Sequence, residues 1–503
     1  MTGEPDLEEH LVGLVARQAD RYGDRVFMTF GDGETLTFAQ LADRVRALGA
    51  NLAAYGVAPG QRVAIMMKNS LAYPVAWLGV LAAGGVAVPL NSRSGELDAR
   101  FVLEHSGAVT VLVDGSTREL AERAAPTGVR CLETSALLQH TAAAPAAAGA
   151  LANIQYTSGT TGFPKGCLLT HGYWQRMGAV MVELLALTEQ DTILTSQPHS
   201  YIDPQWNVVA ALRAGAHLVL LDGFHPTTFM RDVHRFGVTV FYCLGVMPTL
   251  LMKQPAAEHD TNAVTRVFCS AIPVDQHAAI EERWGAPWYE AFGMTESGVN
   301  IAVAPADHGE AVGTACLGRA LPHNEAAVVD AAGRAVAPGQ VGELVLRGLG
   351  FMEGYHEDPE ATAQFFRGGW AHTGDLCAMD QDGRIYYRGR LKEMIRRGGE
   401  NIAPVQVETA IAAHPSVVEC AVAPVPDDDL GEEIKAYVVV RAGAEPDAAL
   451  LADFLRGQLA SFKVPRYWEF RESLPHTPSE RVAKARLENG RADWRAGTVD
   501  LAR

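Results

Sequence analysis

A chain of 503 residues, 48% hydrophobic and 20% charged, is too long for a single core and has the balance of a layered globular protein. Its 42 basic and 59 acidic residues leave a formal charge of −17, a field that repels phosphate backbones and excludes nucleic acid as an expected partner. An anionic ligand must therefore be drawn in by a local basic cluster.

The opening stretch, Met1 to Glu9, is acidic and lacks the basic and apolar regions of a signal peptide. Thr37-Phe38-Ala39-Gln40 predicts a capping box, followed by a helix with Leu41, Val45, Leu48 and Leu52 on one face, ending by Gly56. Val63 to Met67 reads as a buried strand and Pro74 to Ala83 as an apolar helix, with short strands at Val86 to Leu90 and Thr110 to Val113. The longest apolar run, Pro74 to Leu90, is broken by Gly84-Gly85 and is too short to span a bilayer, so no membrane partner is expected. Cys131, Cys167, Cys243, Cys269, Cys316, Cys377 and Cys420 are scattered without CxxC pairing and read as reduced thiols of a cytoplasmic protein.

Thr141 to Ala150 is low-complexity and reads as a surface connection. It delivers the chain to Ile154-Gln155-Tyr156 and then to Thr157-Ser158-Gly159-Thr160-Thr161-Gly162-Phe163-Pro164-Lys165-Gly166. Three glycines allow close backbone approach to an anion, while four hydroxyls and a lysine surround it without any acidic group. The string suits a polyphosphate, yet it is no Walker A loop. Pro164 stands where that motif needs glycine, Gly166 replaces its metal-binding Ser/Thr, and Pro164 disfavours a helical Phe163. The competing reading is a polar linker.

Beyond it, strands are expected at Thr192 to Ser196, His217 to Leu221, Val238 to Cys243 and Arg266 to Ser270, with helices between them. From Gly313 the texture changes to short strands: Glu325 to Val329, Glu343 to Leu346, Arg384 to Tyr387. The tail predicts helices at Val405 to Ala413 and Ala448 to Leu459 around strands Val418 to Val425 and Ile434 to Val440. The expected fold is α/β: a large N-terminal domain, residues 1–391, of two doubly wound sheets plus a small β-rich subdomain, and a small mobile α+β C-terminal domain, residues 392–503.

Three further constellations carry chemistry. In Tyr289-Glu290-Ala291-Phe292-Gly293-Met294-Thr295-Glu296-Ser297 an aromatic face precedes a glycine, and Glu296 offers a hard oxygen to Mg²⁺; the plain alternative is a helix cap. In Trp370-Ala371-His372-Thr373-Gly374-Asp375 a loop aspartate could accept bonds from ribose hydroxyls, though turn aspartates are common. Gly389-Arg390-Leu391-Lys392-Glu393 and Arg396-Arg397-Gly398-Gly399 combine a hinge with a basic patch, or form an ordinary charged linker.

The order and spacing of these motifs resemble the adenylate-forming superfamily of acyl-CoA synthetases, adenylation domains of peptide synthetases and luciferases. Gly342-Glu343-Leu344-Val345-Leu346-Arg347-Gly348, Gly354-Tyr355 through Phe365, and Lys463-Val464-Pro465 match its pattern as well. The resemblance covers nearly the whole chain and implies an ATP-dependent acyl-CoA ligase that uses ATP, Mg²⁺ and coenzyme A on a small carboxylic acid. It implies that Thr157, Ser158, Gly159, Thr160, Thr161, Gly162 and Lys165 hold the phosphates, and that Ser270, Ala271, Ile272, Phe292 and Gly293 line the nucleotide. It further implies Thr295 at the α-phosphate, Glu296 on the metal, Asp375 and Arg390 on the ribose, and Lys392 as the hinge. Gly398 and Gly399 would line the thiol's tunnel, and Arg396, Arg397, Lys463 or Arg466 would meet CoA.

Two departures stand out. The family's C-terminal adenylation lysine follows a glycine; here the stretch is Thr477-Pro478-Ser479-Glu480-Arg481-Val482-Ala483-Lys484, so Arg481, or else Lys484, takes its place. In Pro198-His199-Ser200-Tyr201-Ile202-Asp203-Pro204-Gln205-Trp206, a tyrosine stands where many relatives carry histidine, and Ile-Asp-x-Gln looks like the carnitine/crotonobetaine-CoA ligase branch. His199, Tyr201, Asp203 and Trp206 are the candidate acyl-pocket residues, Asp203 and Trp206 suiting a zwitterion by charge and cation–π contact, unless they merely support the wall. Rival readings are an adenylating enzyme without thioester formation, which loads a carrier protein or activates an oxyanion such as nitrite for an amine, and a non-catalytic nucleotide-binding protein. Homodimerisation is left open.

Overall fold

The computed structural model describes residues 9–31, 33–137, 150–157, 164–245, 247–397, 400–427, 430–456, 458–476, 482–487 and 493–501. Ser158, Gly159, Thr160, Thr161, Gly162, Gly398, Gly399 and Arg481 lie outside the described residues, as do 141–149 of the low-complexity run and the side chains of Lys392 and Arg396.

The expected capping box forms at Thr37 and Gln40 and opens the helix Phe38–Ala54. The alternating strands and helices build two sheets. One has Arg62–Met66 flanked by Thr110–Val113 and Val86–Pro89, all parallel, with Arg130–Glu133 at one edge and Leu151–Thr157 and Lys165–Thr170 at the other. The second carries a parallel run from Val26–Phe30 through His217–Leu220, Thr192–Thr195, Val240–Leu244 and Arg266–Ser270 to Trp288–Met294. These strands are short and buried on both faces, as parallel strands covered by helices must be. Trp77 and Trp174, on helices Ala72–Ala82 and His171–Leu184, meet edge-to-face at 5.2 Å inside the core that joins the two sheets.

The β-rich region continues the second sheet, antiparallel, through Gly298–Ala302, Cys316–Ala320, Ile385–Arg390, Ala371–Met379, Val341–Gly348 and Asn324–Val329. Composition signalled a change of texture, and hydrogen bonding across the strand Cys316–Ala320 decided the continuity. That junction bulges at Gly318, whose φ is +98° and where an added Cβ would stand 1.9 Å from the Ala302 carbonyl oxygen. Gly318→Ala is therefore expected to cost about 3 kcal/mol through strain and overlap. A thermal midpoint within a degree of wild type would refute this account of the junction.

The last sheet, Glu400–Ile402, Ile395–Arg397, Gly431–Val440, Tyr467–Phe470 and Val499–Asp500, with Val417–Asp427 beside Gly431–Val440, packs on helices Pro404–Ala412 and Ala448–Arg456. Its apolar side chains, including Ile395, Val407, Ile434, Leu451 and Trp468, form a core of their own.

Candidate active site

Leu151–Thr157 and Lys165–Thr170 are antiparallel neighbours, with Thr157 opposite Lys165. The chain thus leaves the glycine-rich stretch into a strand, not a helix, and so differs from a Walker A loop as Pro164 implied. Gly166 is small for a reason: a Cβ there would lie 2.7 Å from the Ile154 side chain. The segment 352–356 runs alongside: the Leu168 amide donates to Gly354, and the His356 amide to Gly166 at 2.7 Å.

Glu296 sits in the turn between Trp288–Met294 and Gly298–Ala302, and it is 8% exposed. Burial pushes its carboxyl up, opposed by a hydrogen bond from Tyr355 and by the charges of Arg390 and Lys165. Those influences place Lys165, Glu296 and Arg390 within electrostatic reach although they are far apart in the chain. Tyr355 donates its hydroxyl to Glu296 Oε1 at 2.8 Å, and Lys165 Nζ lies 4.9 Å from the centre of its ring. Among the described residues no group of three or more His, Cys, Asp or Glu could by itself hold a metal ion. A lone buried carboxylate fits Mg²⁺, which keeps waters and phosphate oxygens in the rest of its shell.

Asp375 and Arg390 face one another across antiparallel strands, and Arg390 Nε pairs with Asp375 Oδ1 at 2.9 Å. The strand segment before Asp375 is fixed by half-buried Glu343, which accepts from the Gly374 amide through Oε1 and bridges Arg367 and His372 through Oε2.

Ser270, Ala271 and Ile272 follow the parallel strand Arg266–Ser270, at the carboxyl end where open α/β sheets bind ligands. Ala271 has a φ of +72°, a left-handed conformation costly for a residue with a Cβ. Buried Glu290 holds it there, accepting from the Ala271 amide at 2.7 Å and the Ile272 amide at 2.8 Å. Burial pushes the Glu290 carboxyl up to about 7 despite those two amides. Half-buried Phe292 and exposed Gly293 lie at the end of the neighbouring strand, next to Thr295 in the turn.

The acyl-segment candidates lie on the loop before, and the first turns of, helix Ile202–Ala214. His199 is buried and pushed down to about 3 by desolvation, so it is neutral at ordinary pH. Asn69 donates its amide to Gln197 and Leu221 and turns its oxygen to the His199 amide and Nδ1. His199 Nδ1 therefore carries the proton and Nε2 is an acceptor. Tyr201 accepts from Asn91 at 3.2 Å, and Asp203 lies in the helix's first turn. Trp206, 3% exposed, packs edge-on against Tyr242, whose hydroxyl donates to Ser270. Gln205 is structural: its oxygen accepts from Asn153, and its amide donates to the His199 carbonyl. Ser196 Oγ, His199 Nε2, Ser200 Oγ, Trp206 Nε1 and Asn207 Nδ2 are buried without a partner among the described residues.

The basic candidates of the tail are mostly engaged. Arg397, expected at CoA, is buried and its fork grips Glu433 through Nε and Nη2, the second bond at 2.8 Å. That fork uses the Nε donor and one donor on Nη2, and it offsets the Glu433 charge. Arg466 pairs bidentately with Asp500 and reaches Asp427. Lys463 donates to Gln406 at the surface. Lys484 contacts Glu393 and Glu408, both at 2.8 Å; burial lowers its ammonium's affinity for the proton, but the two carboxylates outweigh that and hold it up. Lys392 falls in the turn Leu391–Glu393, and Arg396 in the strand Ile395–Arg397.

Sequence reasoning missed Glu290, Glu343 and Tyr355 as supporting residues. All three lay within quoted motifs, but only the tertiary contacts give them partners.

The AMP-binding enzyme family model matches residues 15–356, and its C-terminal domain model matches residues 406–481. The chain is 35% identical to the sulfoacetate–CoA ligase of Cupriavidus necator, over 97% of this chain and 99% of that protein. It is 30% identical to the crotonobetaine/carnitine–CoA ligase of Salmonella paratyphi A, over 93% and 97% respectively. Its structure superposes with a TM-score of 0.87 on o-succinylbenzoate CoA synthetase from Bacillus subtilis, in complex with its acyl-adenylate intermediate, at 26% identity and over 95% of this chain and 98% of that one. The same synthetase has also been solved with ATP and magnesium ion.

Proposed function

This chain belongs to the AMP-binding enzyme family of adenylate-forming ligases, and from that premise we propose how its residues divide the work. The enzyme is an ATP-dependent, AMP-forming acid–thiol ligase whose reaction uses ATP, Mg²⁺ and coenzyme A. A carboxylate oxygen bonds to the α-phosphorus of ATP as the bond to pyrophosphate breaks. A thiol sulfur then takes the acyl carbon of the mixed anhydride, and AMP leaves. Both reactants of the first half are anions, so the protein's task is positive charge and in-line placement.

The reading rests on the convergence of Lys165, Glu296 and the Asp375–Arg390 pair. We assign Lys165, with Thr157 and the stretch 158–162, to the phosphates, and Thr295 to the α-phosphate. Ser270, Ala271, Ile272, Phe292 and Gly293 take the base, and Asp375 with Arg390 the ribose. Glu296 is the residue assigned to hold magnesium, which when bound offsets the phosphate charge. We set the domain boundary at 391/392, with residues 392–503 turning about Lys392 between the two halves of the reaction. For CoA we retain Lys463, Arg396, Arg397, Arg466 and the Gly398-Gly399 pair.

We assign the acid to the class of small carboxylic acids with a second polar or charged group, in a cytoplasmic enzyme. The support is the set of unpartnered polar atoms at 196–207 and the sulfoacetate and carnitine ligases among the relatives. Buried polar atoms without partners are costly unless a ligand or water completes them.

Lys484 is already committed to Glu393 and Glu408, so we assign the adenylation cation to Arg481. The test is pyrophosphate release over a panel of acids, with and without CoA. Short acids bearing sulfonate, ammonium or hydroxyl groups are expected to outrun plain alkyl acids of equal length. Arg481→Ala should slow acid-dependent pyrophosphate release about 100-fold, the loss of one well-placed charge, and spare thioester formation from supplied acyl-adenylate. That same pattern in Lys484→Ala, with Arg481→Ala unaffected, would transfer the role to Lys484.

A further inference from the structure

Lys165 and Glu296 carry opposite charges and both contact Tyr355, yet no direct ion pair joins them among the described residues. Two such groups left to themselves would close on each other, and each would lose its use: the lysine for phosphate, the carboxylate for a cation. Tyr355 stands between them. Its ring face receives the Lys165 ammonium at 4.9 Å, and its hydroxyl donates to Glu296 Oε1 at 2.8 Å.

The placement is built into the backbone as well. Met352 N–H donates to the carbonyl of Glu296 itself at 2.8 Å, and His356 N–H donates to Gly166, the neighbour of Lys165, at 2.7 Å. The segment 352–356 is thus tied at one end to the metal-side turn and at the other to the phosphate-side strand. Thr362 Oγ1 fixes the Tyr355 amide at 2.8 Å, and the Phe365 ring stands edge-on to the tyrosine at 6.0 Å.

We propose that Tyr355 is a positioning residue that holds Lys165 and Glu296 apart and aims each at its own part of the nucleotide, by its ring for one and its hydroxyl for the other. The inference rests on the reading of Lys165 as a phosphate group and Glu296 as a magnesium group, and the two can fail separately. Tyr355→Phe keeps the ring and removes the hydroxyl; Tyr355→Leu removes both.

The experiment is titration calorimetry of the full chain with ATP in EDTA and with ATP plus magnesium, together with the magnesium dependence of pyrophosphate release. Tyr355→Phe should bind metal-free ATP within about two-fold of wild type, but need about five- to ten-fold more magnesium for half-maximal rate, the loss of one hydrogen bond to a charged group. Tyr355→Leu should in addition weaken metal-free ATP binding about five-fold, because Lys165 loses its platform. Equal losses in Tyr355→Phe with and without magnesium, or no loss in either assay, would overturn the proposal. Should Tyr355→Leu fail to fold, Tyr355→Phe decides alone. Glu296→Gln run in parallel tests the underlying reading: an unchanged magnesium dependence there removes the metal role, and the proposal with it.

Discussion

Glu296→Gln is expected to lower acid-dependent pyrophosphate release by about 10²- to 10³-fold, the scale of losing one preorganised charge at a transition state. Glutamine keeps an oxygen for the Tyr355 hydroxyl and nearly the same volume, so only the charge goes. The thioester half of the reaction, started from supplied acyl-adenylate, has no pyrophosphate to neutralise and should fall far less. The variant should also melt no lower than wild type near neutral pH. Burial pushes the Glu296 carboxyl up, so ionising it in the fold is a cost that glutamine avoids. A variant that lost both half-reactions equally, or melted several degrees lower, would make Glu296 a structural residue and remove the central assignment.

Glu290 gives the second large effect, and it is a pH effect. Its carboxyl titrates near 7 in the fold against 4.5 as its ordinary value. Between those two values the folded chain holds a proton that the unfolded chain has lost. The contribution is therefore present in full below pH 4.5 and declines as pH rises toward 7, by about 3 kcal/mol in all, then stays flat. Function runs the other way. Only the carboxylate offers two good acceptors to the Ala271 and Ile272 amides, so protonation loosens a turn already in a left-handed conformation. Efficiency toward ATP should fall on the acid side of pH 7 in the wild type. Glu290→Gln should lower it about ten-fold at pH 8, the effect of one buried amide left without an acceptor. The variant should show no acid limb in that range, and its thermal midpoint should no longer decline between pH 4.5 and 7. Persistence of the wild-type limb in Glu290→Gln would assign it to another group.

The covered apolar strands at Val63, Thr110 and Arg266 were legible because a parallel strand buried on both faces has to be a short apolar run bounded by turns. The capping box at Thr37 was legible because both partners lie within four residues. The glycine-rich stretch, the Thr295-Glu296 turn and Asp375 could be marked for similar reasons: their chemistry is local in sequence. The strand Lys165–Thr170 was harder, since Pro164 said only that a helix would not follow.

What the sequence by itself determined, then, was composition, the order of elements and the identity of the reactive groups, all fixed by neighbours along the chain. What only the tertiary structure decided was the pairing of groups that are not neighbours along the chain. It joined the β-rich strands to the doubly wound sheet, set Tyr355 between Lys165 and Glu296, and gave Ala271 its support in Glu290. It also committed Arg397 to Glu433 and Lys484 to Glu393 and Glu408. A charged side chain is the same in sequence whether it meets a ligand or a buried counter-ion. Which of the two it meets depends on what the fold brings within about 4 Å, the range over which a charge commits to one partner.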